Sequence, residues 1–319
     1  MLFITNRQPR QSTRTRINRK IDFDLKKNAP ANDLYYCRRN AEGDYTEIGS
    51  AALLESLKDS NCKQLLFFIH GFSNLPEPDI FPRVEKLQQL LDDKEPELAL
   101  VIPLIWPCDN DLGIVQDYWD DQKSADASAQ SFARLLNRFL DWRDQQPEEA
   151  PCLKRINVLA HSMGNRVYRQ TLRAWNKYDL PGGVPLLFRN SFLMAADVVN
   201  ETLEKGHTGE LISHASRNVS VYFASDDLAL RSSKVSNLKN KIASRRLGHT
   251  GPENIHKVNS NVYSIDCDNY NTQYDSPKGH SYFLNDENGM PGKVFEHIYD
   301  SIKHGRIDID DRKFRLKIL

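Results

Sequence analysis

The sequence predicts an α/β fold in which a mostly parallel, twisted sheet carries helices on both faces. Short apolar runs of strand length alternate with longer segments of helical period through most of the 319 residues. This is the pattern of parallel strands that are joined by crossover helices. From Ala129 to Leu140, apolar residues recur at intervals of three and four, so one stripe of that helix faces the sheet. No internal repeat or Gly/Ser-rich linker divides the chain, and we therefore predict one domain over residues 1–319.

Each element follows from these patterns. Apolar runs predict six inner strands, at Gln64–Ile69, Leu98–Ile105, Arg155–Ala160, Asn190–Ala195, Asn218–Ala224 and Asn261–Cys267. Segments of helical period predict five helices, at Pro82–Asp93, Gln122–Gln145, Gly164–Tyr178, Val199–His214 and Pro291–Lys303. The first 60 residues are expected to extend the same sheet with antiparallel edge strands, at Leu2–Thr5, Leu34–Arg38 and Tyr45–Ile48.

Composition and charge argue against several classes of protein. Lys plus Arg and Asp plus Glu both number 43, so the formal net charge is zero and a nucleic-acid-binding polycation is not expected. No apolar run approaches the roughly 18 residues of a membrane-spanning helix, and the N-terminus lacks the apolar core of a secretory signal. The five cysteines form no CxxC pair, and no nucleotide-binding or HExxH motif occurs. We therefore expect a cytoplasmic protein with no cofactor and no metal.

One serine lies at the turn between a predicted strand and a predicted helix. In the stretch RINVLAHSMGNR, residues 155–166, the apolar run ends at Ala160 and helical period begins at Gly164. The residues two before and two after Ser162 are small, as a tight turn requires where strand and helix approach closely. Such a turn lifts the hydroxyl above the sheet, at a helix N-terminus that favours a developing negative charge. Ser162 is therefore the candidate nucleophile.

A serine hydroxyl needs a base that takes its proton, and the base needs an acid that holds its tautomer. His280 lies in a polar loop after the last predicted strand and before the final helix, so it is the candidate base. Asp227 closely follows the strand Asn218–Ala224 and is the candidate acid. The order serine, aspartate, histidine is the one expected for a nucleophile on a strand-to-helix turn. Asp197, after the preceding strand, and the neighbouring Asp226 remain alternatives for the acid.

A second apolar strand ends in a turn at the same predicted edge of the sheet. The stretch LLFFIHGFSN, residues 65–74, reaches its turn at His70, Gly71 and Phe72. Where a serine lies on such a strand-to-helix turn, one oxyanion donor is the N–H of the next residue and the other comes from a loop of this kind. Phe72 and Met163 are therefore the candidate donors of the oxyanion hole. We interpret His70 as a histidine that hydrogen-bonds its own loop and holds it in shape.

Taken together, the motifs resemble the α/β-hydrolase superfamily, and more narrowly a bacterial family of such hydrolases whose function is not established. The matching strings spread over nearly the whole chain in the order of the family: TNR at 5–7, HGF at 70–72, Trp-Pro at 106–107, Tyr-x-x-Asp-x-x-Ser-Ala at 118–125, AHSMGNR at 160–166, SDDLAL at 225–230 and GHSYF at 279–283. The chain departs from the pattern at Ala160, where many hydrolases have glycine, and at Asp226, where relatives often have asparagine.

The resemblance implies the α/β-hydrolase fold and a serine hydrolase. Ser162 resembles the nucleophile, Asp227 the acid and His280 the base, with Phe72 and Met163 as the implied oxyanion donors. We expect the substrate to be a small-molecule ester or thioester that is cleaved through an acyl-enzyme, because its leaving group needs less protonation than that of an amide. The alternative is a non-catalytic scaffold of the same fold that binds a protein or an anionic partner.

Two stretches of the chain are locally basic, at residues 7–20 and 231–257. A solvated surface is one interpretation of both. The second stretch lies between the candidate acid and the candidate base, so our hypothesis is that it borders the pocket and favours an anionic acyl donor or head group. The connection between Asp197 and Asn218, about 20 residues, is too short for a large helical lid, and we predict an open site.

Overall fold

The computed structural model of the chain describes residues 1–108, 114–230, 245–307 and 312–315. Its strands are β1 Leu2–Thr5, β2 Arg19–Ile21, β3 Tyr35–Ala41, β4 Asp44–Glu47, β5 Gln64–Ile69, β6 Ala99–Ile105, β7 Arg155–His161, β8 Phe188–Met194, β9 Ser216–Phe223, β10 Val262–Asp266 and β11 Lys313–Arg315. Within the described residues they form one eleven-stranded sheet in the order β11-β10-β9-β8-β7-β5-β6-β1-β3-β4-β2.

Most of the sheet is parallel. Every neighbouring pair from β11 across to β1 is parallel, and the pairs β1/β3, β3/β4 and β4/β2 are antiparallel. The predicted fold class, a mostly parallel sheet with an antiparallel N-terminal edge, is therefore confirmed. One detail is wrong: the strand Leu2–Thr5 pairs parallel with β6, so the antiparallel part begins only at β3.

Helices cover both faces of this sheet. In the described ranges they are α1 Gly49–Asp59, α2 Phe81–Lys94, α3 Ile114–Asp144, α4 Gly164–Tyr178, α5 Glu210–Ala215, α6 Leu247–Thr250, α7 Asn271–Tyr274 and α8 Lys293–His304. A π-helical turn at Pro76–Ile80 leads into α2. Buried apolar side chains form one cluster between the sheet and α1, α3 and α4, and a second cluster between the sheet and α2 and α8.

The central strand β5 shows why the inner strands are apolar along their whole length. Leu65, Phe67 and Ile69 belong to one apolar cluster, whereas Leu66 and Phe68 belong to the other. Because successive side chains of a strand point to opposite faces, a strand that is covered on both faces needs an uninterrupted apolar run. This requirement places β5 and its neighbour β7 in the middle of the fold.

The helix predicted over Val199–His214 is wrong. Helical structure there is confined to Glu210–Ala215, and turns occupy the residues before it. Gly206 has a φ of +81°, and a Cβ added to Gly209 would lie 2.8 Å from the carbonyl oxygen of Thr202. The two glycines thus allow a folded-back chain path that a continuous helix does not take.

The carboxyl ends of the parallel strands meet at one edge of the sheet. The loops that follow β5, β6, β7, β8, β9 and β10 leave from this edge. In open α/β sheets, ligands bind in the crevice outside these ends. No helix in the described part of the chain combines the length and the apolar character that crossing a membrane requires.

Candidate active site

Ser162 lies on a strained turn between β7 and α4. Its φ is +53°, in the left-handed region that residues other than glycine rarely adopt. The Ser162 N–H donates to the carbonyl of Met194 on β8 at 2.9 Å, and the N–H of Asn165 donates to the Ser162 carbonyl at 3.1 Å. These hydrogen bonds tie the turn to the neighbouring strand and to the first turn of the helix.

The small residue two positions after the serine is required by close packing. A Cβ added to Gly164 would lie 2.6 Å from the carbonyl oxygen of His70 and still closer to that of Ile69. Both are backbone atoms of β5 and its following loop, which cannot move aside without disturbing the centre of the sheet. The approach of helix to strand that the sequence pattern predicts is present here.

The loop after β5 passes directly over the serine. A Cβ added to Gly71 would lie 2.9 Å from the Cβ of Ser162 and 3.5 Å from its Oγ. Glycine at this position therefore lets the backbone of the loop approach the hydroxyl. The next residue along, Phe72, packs edge-to-face on Tyr118 with ring centroids 5.6 Å apart.

His70 fixes the orientation of this loop. Its Nδ1–H donates to the Gly71 carbonyl at 2.8 Å, its Nε2 accepts from the backbone N–H of Trp106 at 3.1 Å, and its ring stacks on that indole with centroids 5.0 Å apart. Burial lowers the pKa of His70 to about 3, so the ring is neutral with its proton on Nδ1. With these contacts His70 holds its own loop in shape, as interpreted from the sequence.

Two backbone N–H groups beside the serine find no acceptor among the described residues. Because the 71–72 peptide is trans and its carbonyl points at His70, the N–H of Phe72 points the opposite way. Within the described residues, neither this N–H nor that of Met163 donates to any protein atom. Met163 is also the N-cap residue of α4, where the helix dipole favours negative charge. Backbone N–H groups that lack an acceptor can stabilise a negative charge on a nearby oxygen.

His280 and Asp227 form a buried pair. The Nδ1–H of His280 donates to Oδ2 of Asp227 at 2.7 Å, and the other oxygen, Oδ1, accepts from the N–H of Leu230 at 3.0 Å. The Asp227 side chain is fully buried, and that of His280 is 11% exposed. With Nδ1 donating to the carboxylate, Nε2 of His280 carries the lone pair that a general base needs.

The histidine next to the serine connects the two halves of the site. Nε2–H of His161 donates to the backbone carbonyl of His280 at 3.1 Å, and the two rings lie 4.8 Å apart. Burial lowers the pKa of His161 well below its ordinary value, so this ring stays neutral. Residues 162 and 280 are thus neighbours at the carboxyl edge. Within the described residues, the Ser162 hydroxyl and the His280 ring are not joined by a hydrogen bond.

Sequence reasoning missed Asp275, which shapes the loop of the histidine. Its Oδ2 accepts from the backbone N–H of His280 and from that of Ser281, both at 2.7 Å. The residue lies within the polar loop that leads to His280, but nothing in the sequence distinguishes it from the other polar side chains there. The structure singles it out because it orients the backbone on either side of the ring.

The two alternative carboxylates do not contact a histidine ring in the described part of the chain. Asp197 faces Arg246 in a buried ion pair with Nε 3.1 Å from Oδ1, although this N–H does not point along the line of a hydrogen bond. Asp226 is half-buried, and its Oδ1 accepts no hydrogen bond from any described residue. Of the three candidates, Asp227 is the one in contact with His280.

Several arginines of the two basic stretches make hydrogen bonds or ion pairs within the fold. Arg7 is buried and donates to the carbonyls of Cys108 and Leu25, and Arg19 pairs with Glu47 at 2.7 Å. In the second stretch, residues 231–244 lie outside the described residues, and Arg246 pairs with Asp197 as above. No group of three or more His, Cys, Asp or Glu side chains in the described ranges is arranged to hold a metal ion.

Comparison with known proteins agrees with this architecture. A family model described as "alpha/beta hydrolase of unknown function (DUF900)" matches residues 47–290, which include β5, β7 and all three members of the candidate triad. The comparisons with curated proteins and with solved structures gave no match. The match covers well over half of the chain, and the chain therefore belongs to this family of alpha/beta hydrolases of unknown function.

Proposed function

We propose that the chain is a serine hydrolase that cleaves small-molecule carboxylic esters or thioesters through an acyl-enzyme. The observation that carries the proposal is the convergence, at one edge of the sheet, of a strained serine, a histidine paired with a buried carboxylate, and two backbone N–H groups that have no acceptor in the described part of the chain. Ser162, His280 and Asp227 take the roles of nucleophile, base and acid. The N–H groups of Phe72 and Met163 form the oxyanion hole.

In the first step, the Ser162 oxygen attacks the carbonyl carbon while Nε2 of His280 accepts the hydroxyl proton. The carbonyl oxygen becomes an oxyanion, which the N–H groups of Phe72 and Met163 stabilise. Collapse of this intermediate breaks the bond to the leaving group, and His280 donates its proton to the departing oxygen or sulfur. The acyl group remains on Ser162 as an ester.

In the second step, a water molecule attacks the acyl carbon and gives its proton to Nε2 of His280. A second oxyanion forms in the same hole and collapses, the Ser162 oxygen departs, and His280 returns the proton to it. The products are a carboxylic acid and the free enzyme. Asp227 keeps its negative charge throughout and stabilises the imidazolium that forms in each step.

Access to the site is consistent with small, soluble substrates. The segment between β8 and β9 contains turns and the six-residue helix α5, not a large helical lid. Arg245 belongs to the second basic stretch, and its side chain is largely exposed. Its ion pair with Glu253 is a long one, with 3.5 Å between nitrogen and oxygen. An anionic acyl donor or head group would find an accessible cation there.

A fluorophosphonate probe tests the reaction class, because it phosphonylates only an activated serine. We expect labelling of the wild type at Ser162, turnover of a short p-nitrophenyl ester, and loss of both in Ser162→Ala. Ser56→Ala, which removes an exposed hydroxyl on α1, is the matched control and should retain both activities. Wild-type protein that binds an anionic partner but neither labels nor turns over would contradict the proposal and favour the non-catalytic scaffold.

A further inference from the structure

Two successive peptides of the loop after β5 are held by side chains. The carbonyl of the 71–72 peptide accepts from His70, as described above. The 72–73 peptide is held at both ends: the Phe72 carbonyl accepts from Nδ2 of Asn74 at 2.6 Å, and the Ser73 N–H donates to Oδ2 of Asp121 at 3.0 Å. Ser73 has a φ of +56°, in the left-handed region. This conformation persists only where the surroundings impose it.

Asp121 belongs to α3 and contacts both this loop and the N-terminal segment. It is fully buried, and its second oxygen, Oδ1, accepts from Nδ2 of Asn28 at 3.1 Å. Asn28 precedes residue 47, where the family match begins. Tyr118, three positions earlier on α3, packs on the ring of Phe72. One face of the helix therefore contacts both residues of the 72–73 peptide.

We propose that Asp121, oriented by Asn28, is a positioning residue for the oxyanion hole. By holding the Ser73 N–H, its carboxylate keeps Ser73 in the left-handed conformation and keeps the N–H of Phe72 directed at the reacting carbonyl above Ser162. The inference rests on the proposed hydrolase function. It assigns to the N-terminal segment, outside the family match, a role in the geometry of the site.

The chemistry of the contact determines which substitutions break it. Both oxygens of Asp121 face N–H donors, one on Ser73 and one on Asn28. Asp121→Ala removes both acceptors. Asp121→Asn keeps both hydrogen bonds once the Asn28 amide turns over, because the new amide oxygen accepts from Ser73 and the new NH2 group donates to Oδ1 of Asn28. That oxygen of Asn28 has no other hydrogen bond among the described residues.

The two substitutions provide the test. In Asp121→Ala we expect kcat for a p-nitrophenyl ester to fall about tenfold or more with KM changed less than about twofold, because a displaced oxyanion donor acts on the transition state. In the conservative variant Asp121→Asn we expect kcat to stay within about threefold of the wild type, because the hydrogen bond to the Ser73 N–H is kept. Asn28→Ala leaves the carboxylate in place, and its kcat should fall less than that of Asp121→Ala. Asp141→Asn, on an exposed turn of the same helix, is the matched control and should leave kcat unchanged.

A second measurement separates a positioning role from a merely structural one. An oxyanion hole is shaped for oxygen, so the wild type should cleave an oxygen ester faster than its thionoester, in which sulfur replaces the carbonyl oxygen. We expect this rate ratio to shrink in Asp121→Ala and to stay close to the wild-type value in Asp121→Asn. If Asp121→Ala keeps the wild-type kcat and rate ratio, or if Asp121→Asn loses as much of both as Asp121→Ala does, the inference is wrong. A wild type that the fluorophosphonate does not label overturns the proposed function itself, and this inference with it.

Discussion

Nδ1 of His280 lies 2.7 Å from Oδ2 of Asp227, and the two side chains are almost entirely withdrawn from solvent. A buried carboxylate with this contact both sets the tautomer of the imidazole and stabilises its protonated form. The relationship distinguishes Asp227 from the other two carboxylates that the sequence offers, and it leads to the first prediction.

Asp227→Asn should lower kcat/KM for ester hydrolysis by about 10³- to 10⁴-fold, because an amide favours the wrong tautomer of His280. Asp226→Asn should change kcat/KM by less than about threefold, since this carboxylate does not contact the ring. Steady-state kinetics of the two variants check the assignment. A larger loss in Asp226→Asn than in Asp227→Asn would show that the acid is misassigned.

Asp197→Asn should lower the free energy of unfolding and leave proton transfer at His280 largely unaffected. The ion pair with Arg246 is buried, with side-chain exposures of 2% and 9%, and loss of one charge leaves the other uncompensated. We expect the free energy of unfolding in urea to fall by about 3 kcal/mol. The kcat of the remaining folded enzyme should fall less than tenfold. A loss of kcat as large as that in Asp227→Asn would contradict this view of Asp197.

Gly164→Ala should destabilise the fold, because the added methyl group collides with backbone oxygens of the central strand and its loop. Overpacking of this kind costs about 1–3 kcal/mol, which urea unfolding measures directly. Gly182→Ala is the control, since an added Cβ there meets no atom within 4 Å. Equal stability of the two variants would mean that helix and strand separate easily at the serine turn.

The free energy of unfolding should fall as the pH is lowered below about 6.5. Burial lowers the pKa of His297 to about 4, so between these two pH values the unfolded chain binds a proton that the folded chain does not. The stability attributable to this neutral ring is complete above pH 6.5 and decreases by about 1.4 kcal/mol per pH unit on acidification. His297→Phe should reduce the slope of unfolding free energy against pH by that amount between pH 4.5 and 6. Equal slopes of unfolding free energy against pH in the wild type and in His297→Phe would contradict this prediction.

The anionic-substrate hypothesis depends on Arg245 more than on Arg246, because the Arg245 side chain is largely exposed whereas that of Arg246 is buried against Asp197. Arg245→Glu should raise KM for an ester with an anionic acyl group several-fold more than KM for its neutral analogue, because the reversed charge repels the anion. Added salt should reduce the difference between the two substrates. Equal changes in the two KM values would refute a role of this arginine in selectivity.

Local patterns in the sequence account for much of the fold. The apolar runs of the inner strands follow from burial on both faces, and the small residues around Ser162 follow from the sterics of a turn on which helix and strand nearly touch. The same patterns failed over Val199–His214, where helical period is present but Gly206 and Gly209 permit a different chain path. Periodicity describes which residues are apolar, and it does not report how tightly the backbone folds back on itself.

By itself, then, the sequence determined the mostly parallel sheet and the turn that carries Ser162, because both depend on residues close together in the chain. Only the tertiary structure decided which carboxylate contacts His280, since Asp227 lies 53 residues away along the chain and Asp197 and Asp226 follow the same kinds of strand. The contact of Asp121 with Ser73 is of the same kind, since the two residues are 48 positions apart along the chain. Such pairings arise when parallel strands bring their carboxyl ends to one edge, and no local pattern encodes which side chains then meet.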